Sequence, residues 1–389
     1  MNRNRLVCLS VLLLGGVTLI SPHGWAQSID NHAQPVLQRA DYVPPSSGSA
    51  AVSAAPPAAP SKLSFLSQHL RFLTVDSLTQ YRYVDDDPKE VKTRDELYKL
   101  STRVQVNLVG DGTTYLQARG ESGRSFAASY DYTGIGLYDR YWSFNLKSLY
   151  LGQRIGNRFE AQAGSLEFDR GAGTEATYAD NDGWMEGYRL LYASPGHEGL
   201  LDKASVTVGY VGDFTQPNAF ARLYRMGDEN YVQVLGQRKL GAPRELSLEF
   251  DSLQAIRYAR EALRWQQLPV LLRPDLCVET ITRASDNARF GWSSNLQRNW
   301  DRKGRWRGGV FYSDMPSSMF LKGSDQVLLN GDSYVLGKRM GPTLRFAPWR
   351  DLEVSLFGSD RLDNTPGPRY RGQVTLRYQL ASLLNRALR

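Results

Sequence analysis

From Arg369 to Leu380 apolar and polar side chains alternate without a break. Tyr370, Gly372, Val374, Leu376, Tyr378 and Leu380 fall on one parity, and Arg369, Arg371, Gln373, Thr375, Arg377 and Gln379 on the other. Successive side chains of a strand point to opposite faces, so the segment predicts a strand with one apolar and one polar face. It spans about the 9–11 residues that a tilted strand needs to cross a bilayer, and its apolar face carries Tyr near both ends. The alternation recurs upstream. Tyr98, Leu100, Thr102, Val104, Val106 and Leu108 alternate with Lys99, Ser101, Arg103, Gln105 and Asn107, and Asp111-Gly112 then marks a tight hairpin. Trp142, Phe144 and Leu146 alternate with Ser143, Asn145 and Lys147, and Trp306, Gly308, Val310 and Tyr312 oppose Arg305 and Arg307.

Read this way, the chain predicts strands over 71–84, 97–109, 113–122, 141–153, 158–168, 184–193, 203–213, 229–239, 244–255, 288–299, 304–313, 332–347, 351–361 and 368–380. The number is about fourteen, 12–16 within ordinary boundary error. The connections alternate in length: 110–112, 154–157, 240–243, 300–303 and 348–350 are short, while 123–140, 169–183, 214–228, 256–287 and 314–331 are long. Short turns at one rim and long loops at the other are the pattern of an outer-membrane barrel with periplasmic turns and extracellular loops. The fold class expected is therefore all-β, a closed antiparallel transmembrane β-barrel over residues 61–380. A propeller would show an internal repeat of about 40–50 residues, and none is present. Segment 256–287, the longest connection, contains good helix formers with Ile256, Ala259 and Leu263 on one helical face. It is either the candidate constriction, with Arg257, Arg260, Arg264 and Trp265 reaching into the pore, or an ordinary capping loop.

The ends of the chain differ in composition. Met1–Arg5 is basic, Leu6–Ile20 is apolar, and Gly24-Trp25-Ala26 is a small-x-small exit, so residues 1–26 read as a secretory signal peptide. Residues 27–60 are rich in Ala, Pro and Ser and read as a disordered periplasmic leader. Residues 381–389 extend past the last strand as a periplasmic plug or helix. Removing the signal leaves Cys277 as the single cysteine, so a disulfide framework is excluded in a monomer.

The chain carries +7 formal net charge, and arginine far outnumbers lysine. The polar parity of the strands places Arg103, Arg119, Lys147, Arg189, Arg305, Arg307, Arg345, Arg369, Arg371 and Arg377 toward the lumen, with Arg339 and Arg361 on the same parity. Such a track attracts anions and offers bidentate contacts to carboxylates. The block Tyr150-Leu-Gly-Gln-Arg154, followed by Asp182-Gly183 and Gly187-Tyr-Arg189-Leu-Leu-Tyr192, resembles the alginate-export type of Gram-negative outer-membrane barrel. That resemblance implies an arginine-lined lumen passing an acidic polysaccharide or another anionic solute. It also implies handling by the barrel assembly machinery.

Enzymatic alternatives lack their usual base. Mature histidines are His32, His69 and His197, none in an extracellular loop or at mid-strand, and Gly-x-Ser-x-Gly is absent. The carboxylates of Asp85–Asp87 and Asp180–Asp182 read as solvated loop residues. The expectation is a monomeric outer-membrane channel without catalytic residues, metal, cofactor or nucleic-acid partner. A plugged assembly barrel presenting loops to a partner and an outer-membrane hydrolase are the alternatives.

Overall fold

The computed structural model describes residues 69–86, 91–124, 145–174, 177, 185–194, 199–212, 218–241, 243–254, 256–284, 289–301, 304–316, 319, 337–349, 351–364 and 370–387. The signal and leader segments of the sequence reading lie outside them. Among the described residues sixteen strands form one closed barrel. They are β1 (Leu70–Asp86), β2 (Val91–Asn107), β3 (Thr114–Arg124), β4 (Asn145–Ile155), β5 (Phe159–Leu166), β6 (Met185–Ala193), β7 (Lys203–Tyr210) and β8 (Tyr231–Lys239). The second half is β9 (Arg244–Leu253), β10 (Ile256–Trp265), β11 (Asp275–Arg283), β12 (Arg289–Asn299), β13 (Trp306–Met315), β14 (Gly337–Trp349), β15 (Leu352–Arg361) and β16 (Tyr370–Gln379). Each strand pairs antiparallel with its sequence neighbours, and β1 pairs with β16 to close the ring. No helix among the described residues is long and apolar enough to cross a membrane.

The barrel is inverted relative to a soluble protein. Arg103, Arg119, Glu121, Asp251, Arg260 and Arg339 are buried, while Leu151, Leu190, Val206, Val234, Leu248, Val374 and Leu376 on the alternate parity are exposed. A surface of exposed aliphatics around a polar interior is stable only where the outside is apolar, which is the arrangement of a membrane barrel. Outward aromatic pairs mark both rims. Phe159 and Tyr192, and the stacked Trp306 and Phe346 at 4.0 Å, lie at the short-turn end. Tyr83 with Tyr370 and Trp292 with Tyr312 lie at the long-loop end. The hairpin expected at Asp111-Gly112 is present: Gly112 has φ 71°, and Asp111 Oδ1 accepts from the Thr113 N–H and hydroxyl, which hold its carboxyl below the usual range.

The strand count expected from sequence is two short, and both missing strands lie in 256–287. This stretch is neither a helix nor a loop but the hairpin partners β10 and β11, joined to β9 by a turn in which Gln254 adopts φ 53°. The helical spacing of Ile256, Ala259 and Leu263 was misleading because β10 has no clean polarity. Its inward parity carries Tyr258 and Ala262, and its outward parity carries Arg257 and Glu261.

Two short helices flank the wall. The helix α1 (Ala219–Arg222), in the connection between β7 and β8, lies against the outer face of β4–β6. Its Arg222 is buried there, bonded to Glu186 at 2.5 Å and to Ser165 Oγ at 3.0 Å. Both partners have outward parity, since Met185 and Leu166 beside them belong to the interior cluster. The helix α2 (Ala381–Ala387) latches the seam. The Asn385 amide donates to Phe72 O at 2.6 Å and its carbonyl accepts from Phe72 N at 3.0 Å, supplying β1 with a strand-like partner below its ladder to β16. Asn385→Ala is expected to lower stability by about 1–2 kcal/mol, the cost of two lost hydrogen bonds. The temperature at which the compact electrophoretic form is lost reads that change.

Candidate functional site in the lumen

After β5 the chain turns into the barrel and runs sideways along the inner wall. Glu167 reaches Arg103 and, at 2.8 Å, Arg119, while its carbonyl accepts from Arg189. Asp169 takes bonds from Lys203 Nζ at 2.8 Å and Ser205 Oγ at 2.6 Å. The carbonyls of Asp169, Arg170, Ala172 and Gly173 then accept in turn from Gln233, Gln237, Ser247 and the Cys277 thiol. Thr177 donates through its N–H and hydroxyl to Glu279, and its carbonyl accepts from Arg260. The segment thus touches inward side chains from β2 to β11 and narrows the lumen along that arc. Glycine permits the approach. A Cβ at Gly171 would stand 2.5 Å from Ser247 Oγ, and Gly173 has φ 79° with the Arg264 Cβ and Cys277 Sγ close by. Burial favours the neutral acid at the loop residue Glu167, but Arg103 and Arg119 outweigh it and hold the carboxyl below the usual range.

The opposite arc is basic. On β14, β15, β16 and β1 the inward positions include Arg339, Arg361, Arg371, Arg377 and Arg82, against Asp76 and Glu353. Arg377 is held by both oxygens of Asp76. At the long-loop end, Arg339 stands directly opposite Arg361 in the ladder, and Arg371 stands opposite Ser359, two residues along β15. Hydrogen bonds run from Arg339 to Ser359, from Arg371 to Gln373 and from Arg82 to Gln80, and the Asp360 and Asp363 carboxylates act favourably on the Arg339 charge. Directly opposed like charges destabilise an antiparallel pair.

The predicted site residues separate into groups. Arg103, Arg119 and Arg189 do face the lumen, where they hold the inward loop. Arg305, Arg307 and Arg345 lie at the short-turn rim, paired with Asp301, Asp275 and Glu353. Arg305 belongs to a turn in which Asp301 also accepts from the Trp306 N–H, so that hydrogen bond above all keeps the Asp301 carboxyl low. Lys147 sits at a bulge of β4, with its carbonyl accepting from Arg222. Arg369 lies outside the described residues. The expected constriction at Arg257, Arg260, Arg264 and Trp265 is corrected: all four are on β10, with Arg257 and Trp265 facing outward and Arg260 and Arg264 inward. The inward loop is instead the connection after β5. Its signal was the run Asp169-Arg-Gly-Ala-Gly173, where two glycines follow an acid at the head of a long connection.

The upper lumen also holds apolar side chains. Tyr231, Leu253, Tyr258, Ile281, Phe311, Met315 and Met319 form a buried cluster, and the Tyr258 hydroxyl donates to Met319 O at 2.9 Å. Met319 comes from the connection between β13 and β14, so a second connection contributes to the interior.

No family model matches the chain, and no curated protein is similar to it in sequence. Solved porins share its fold. A double mutant of the Rh. blastica porin matches with TM-score 0.53 and 9% identity, over 80% of this chain and 99% of that one. A Salmonella typhi OmpF complex with daunomycin matches with TM-score 0.52 and 11% identity, over 80% of this chain and 98% of that one. The chain shares the fold of these porins, a closed antiparallel barrel.

Proposed function

We propose that this barrel is an outer-membrane channel for anionic solutes, with the arginine wall of β14–β16 and β1 as its track. The observation that carries the reading is the triad of Arg339, Arg361 and Arg371 on adjacent strands at the long-loop mouth. Three guanidiniums gathered at one mouth attract anions and offer a carboxylate or phosphate bidentate bonds. The inward loop opposite confines the solute against this wall. An acidic polysaccharide is the narrower form of the reading, tested by block with uronate oligomers.

The plugged-barrel reading draws on Met319, a residue of the connection after β13 that the Tyr258 hydroxyl holds in the upper lumen. A hydrolase has less support, since His69 donates to the Asn107 carbonyl at the short-turn end, away from the lumen cluster.

Reversal potential in a planar bilayer under a salt gradient decides between them. The wild-type chain is expected to conduct with an anion-favouring potential. Replacing Arg339, Arg361 and Arg371 together by Ser should move that potential toward zero while the barrel still inserts. Unchanged selectivity would remove the triad from the conduction path, and a folded barrel that never conducts would support the plug.

A further inference from the structure

The inward face of β14–β16 gathers hydrogen-bond donors around one buried amide. Arg339 on β14 donates to Ser359 Oγ of β15 at 3.4 Å. Arg371 on β16, directly opposite Ser359 in the ladder, donates to the Gln373 side-chain carbonyl at 3.3 Å. A hydroxyl that accepts still has its own hydrogen to give, so Ser359 is a donor as well. Gln373 is 4% exposed, and its side-chain nitrogen has no hydrogen-bond partner. Its ladder neighbours explain why. On one side stands Phe357, whose ring lies 6.4 Å from that of Phe311, and on the other stands Arg82 of β1. A ring and a cation offer an amide N–H no good acceptor. An unused buried donor is costly and points to a ligand that takes its bond.

The positions also fix the shape of that ligand. Residues directly across a ladder are about 5 Å apart, and residues two along one strand about 7 Å. Ser359, Arg371 and Gln373 therefore mark the corners of a triangle on the lumen wall, with Arg339 reaching Ser359 from the strand behind. Arg361 and Arg371 act on the charge of Arg339, so the three guanidiniums share one field. Asp360 and Asp363 temper that field from outside the patch: Asp360 is exposed on the outward parity of β15, and Asp363 accepts from the Lys338 N–H. Arg361, opposite Arg339 and only half-buried, stands at the mouth above the patch.

A carboxylate presents two oxygens in one plane and a single charge. A phosphoryl group presents three strong acceptor oxygens in a pyramid and carries about −1.5 to −2 at neutral pH. Two of its oxygens can take the Arg339 and Arg371 guanidiniums while the third accepts from Ser359 and Gln373. A carboxylate that engages both guanidiniums has no third oxygen for the amide. Taking this wall as the anion track proposed above, we infer that Arg339, Ser359, Arg371 and Gln373 form a binding site for a phosphoryl group, which makes the barrel favour phosphate monoesters over carboxylates.

The test uses the full chain in planar bilayers and in micelles, at roughly pH 7.5, above the second phosphate ionisation. The probes are glucose 6-phosphate and glucuronate, which differ in the anionic group at one carbon of the same sugar. Glucose 6-phosphate is expected to half-block the chloride current at a concentration about tenfold or more below that of glucuronate. Gln373→Leu should cut that ratio by about threefold or more. Glucose 6-phosphate, and not glucuronate at the same concentration, should also raise the temperature at which the compact electrophoretic form is lost, a measurement that needs no conduction. Retention of the compact form before heating verifies folding. Gln373→Asn, which keeps the amide but shortens its reach, replaces a Leu variant that does not fold. An anion-selective wild type blocked equally by both sugars would overturn the site and leave the channel reading standing. A barrel that never conducts, yet is stabilised by glucose 6-phosphate through Gln373, would uphold the site and overturn the channel reading. A phosphate preference unchanged in the Gln373 variants would remove the assignment to these residues.

Discussion

Replacing Glu167–Thr174 by a short Gly-Ser linker is expected to raise unit conductance severalfold and to shift the reversal potential further toward anions. Both effects follow from the contacts of the inward loop. It occupies the inner wall from β2 to β11, so its removal widens the narrowest cross-section. It also carries Glu167 and Asp169, which neutralise Arg103, Arg119 and Lys203. Without them three cations face the solute path, and a low-dielectric lumen makes their field act strongly on permeating ions. Glu167→Gln separates the two causes. It removes the charge while the carbonyl contacts to Gln233, Gln237, Ser247 and Cys277 stay in place. That variant should gain anion preference with nearly unchanged conductance. A loop-shortened barrel that folds, inserts and conducts as wild type does would show that the restriction lies elsewhere.

How much of this was legible before the structure depends on where the polarity of a strand is clean. β16 alternates Tyr370, Val374, Leu376 and Tyr378 against Arg371, Gln373, Thr375 and Arg377, and it was legible from the sequence because lipid and lumen impose opposite demands on its two faces. All fourteen expected strands exist. β10 and β11 were hidden because their lumen face packs against a loop and other strands instead of water. Tyr258, Ala262, Cys277 and Ile281 are therefore inward and apolar, and alternation loses its contrast. The arginine wall could be read from parity alone, since Arg339, Arg361, Arg371 and Arg377 all stand at inward positions. Their partners could not. Which acids face them depends on ring closure, which brings Asp76 to Arg377, and on the path of a connection, which brings Glu167 to Arg103. A one-dimensional pattern carries neither fact.

Arg260→Met is expected to destabilise the barrel by about 3–5 kcal/mol, the range for breaking a buried ion network by removing one side. Arg260 is 1% exposed and binds Glu249 at 2.9 Å, Asp251, and the Thr177 carbonyl of the inward loop. Methionine fills a similar volume, so the loss is electrostatic: Glu249 and Asp251 remain buried on the same face of β9 without their shared cation. The surrounding donors are already committed, Tyr231 to Asp251 at 2.6 Å and Gln233 to Glu249 at 3.1 Å, and neither carries a charge. The midpoint of denaturant unfolding in micelles reads the change. Arg260→Lys should recover part of it, because an ammonium restores the charge but not the planar fork that spans three acceptors. Combining Arg260→Met with Glu249→Gln and Asp251→Asn should recover more, since the uncompensated charges are then gone and the remaining amides hydrogen-bond to one another and to Tyr231. If the triple variant were no more stable than Arg260→Met alone, packing around the guanidinium would be the source of the effect. If Arg260→Met itself cost under about 1 kcal/mol, the scale of an exposed pair, water would be solvating Glu249 and Asp251 in the lumen. The large cost expected is that of a dry, filled wall: Arg260 joins β9, β10 and the inward loop, so the restriction of the lumen and the stability of the barrel share one residue.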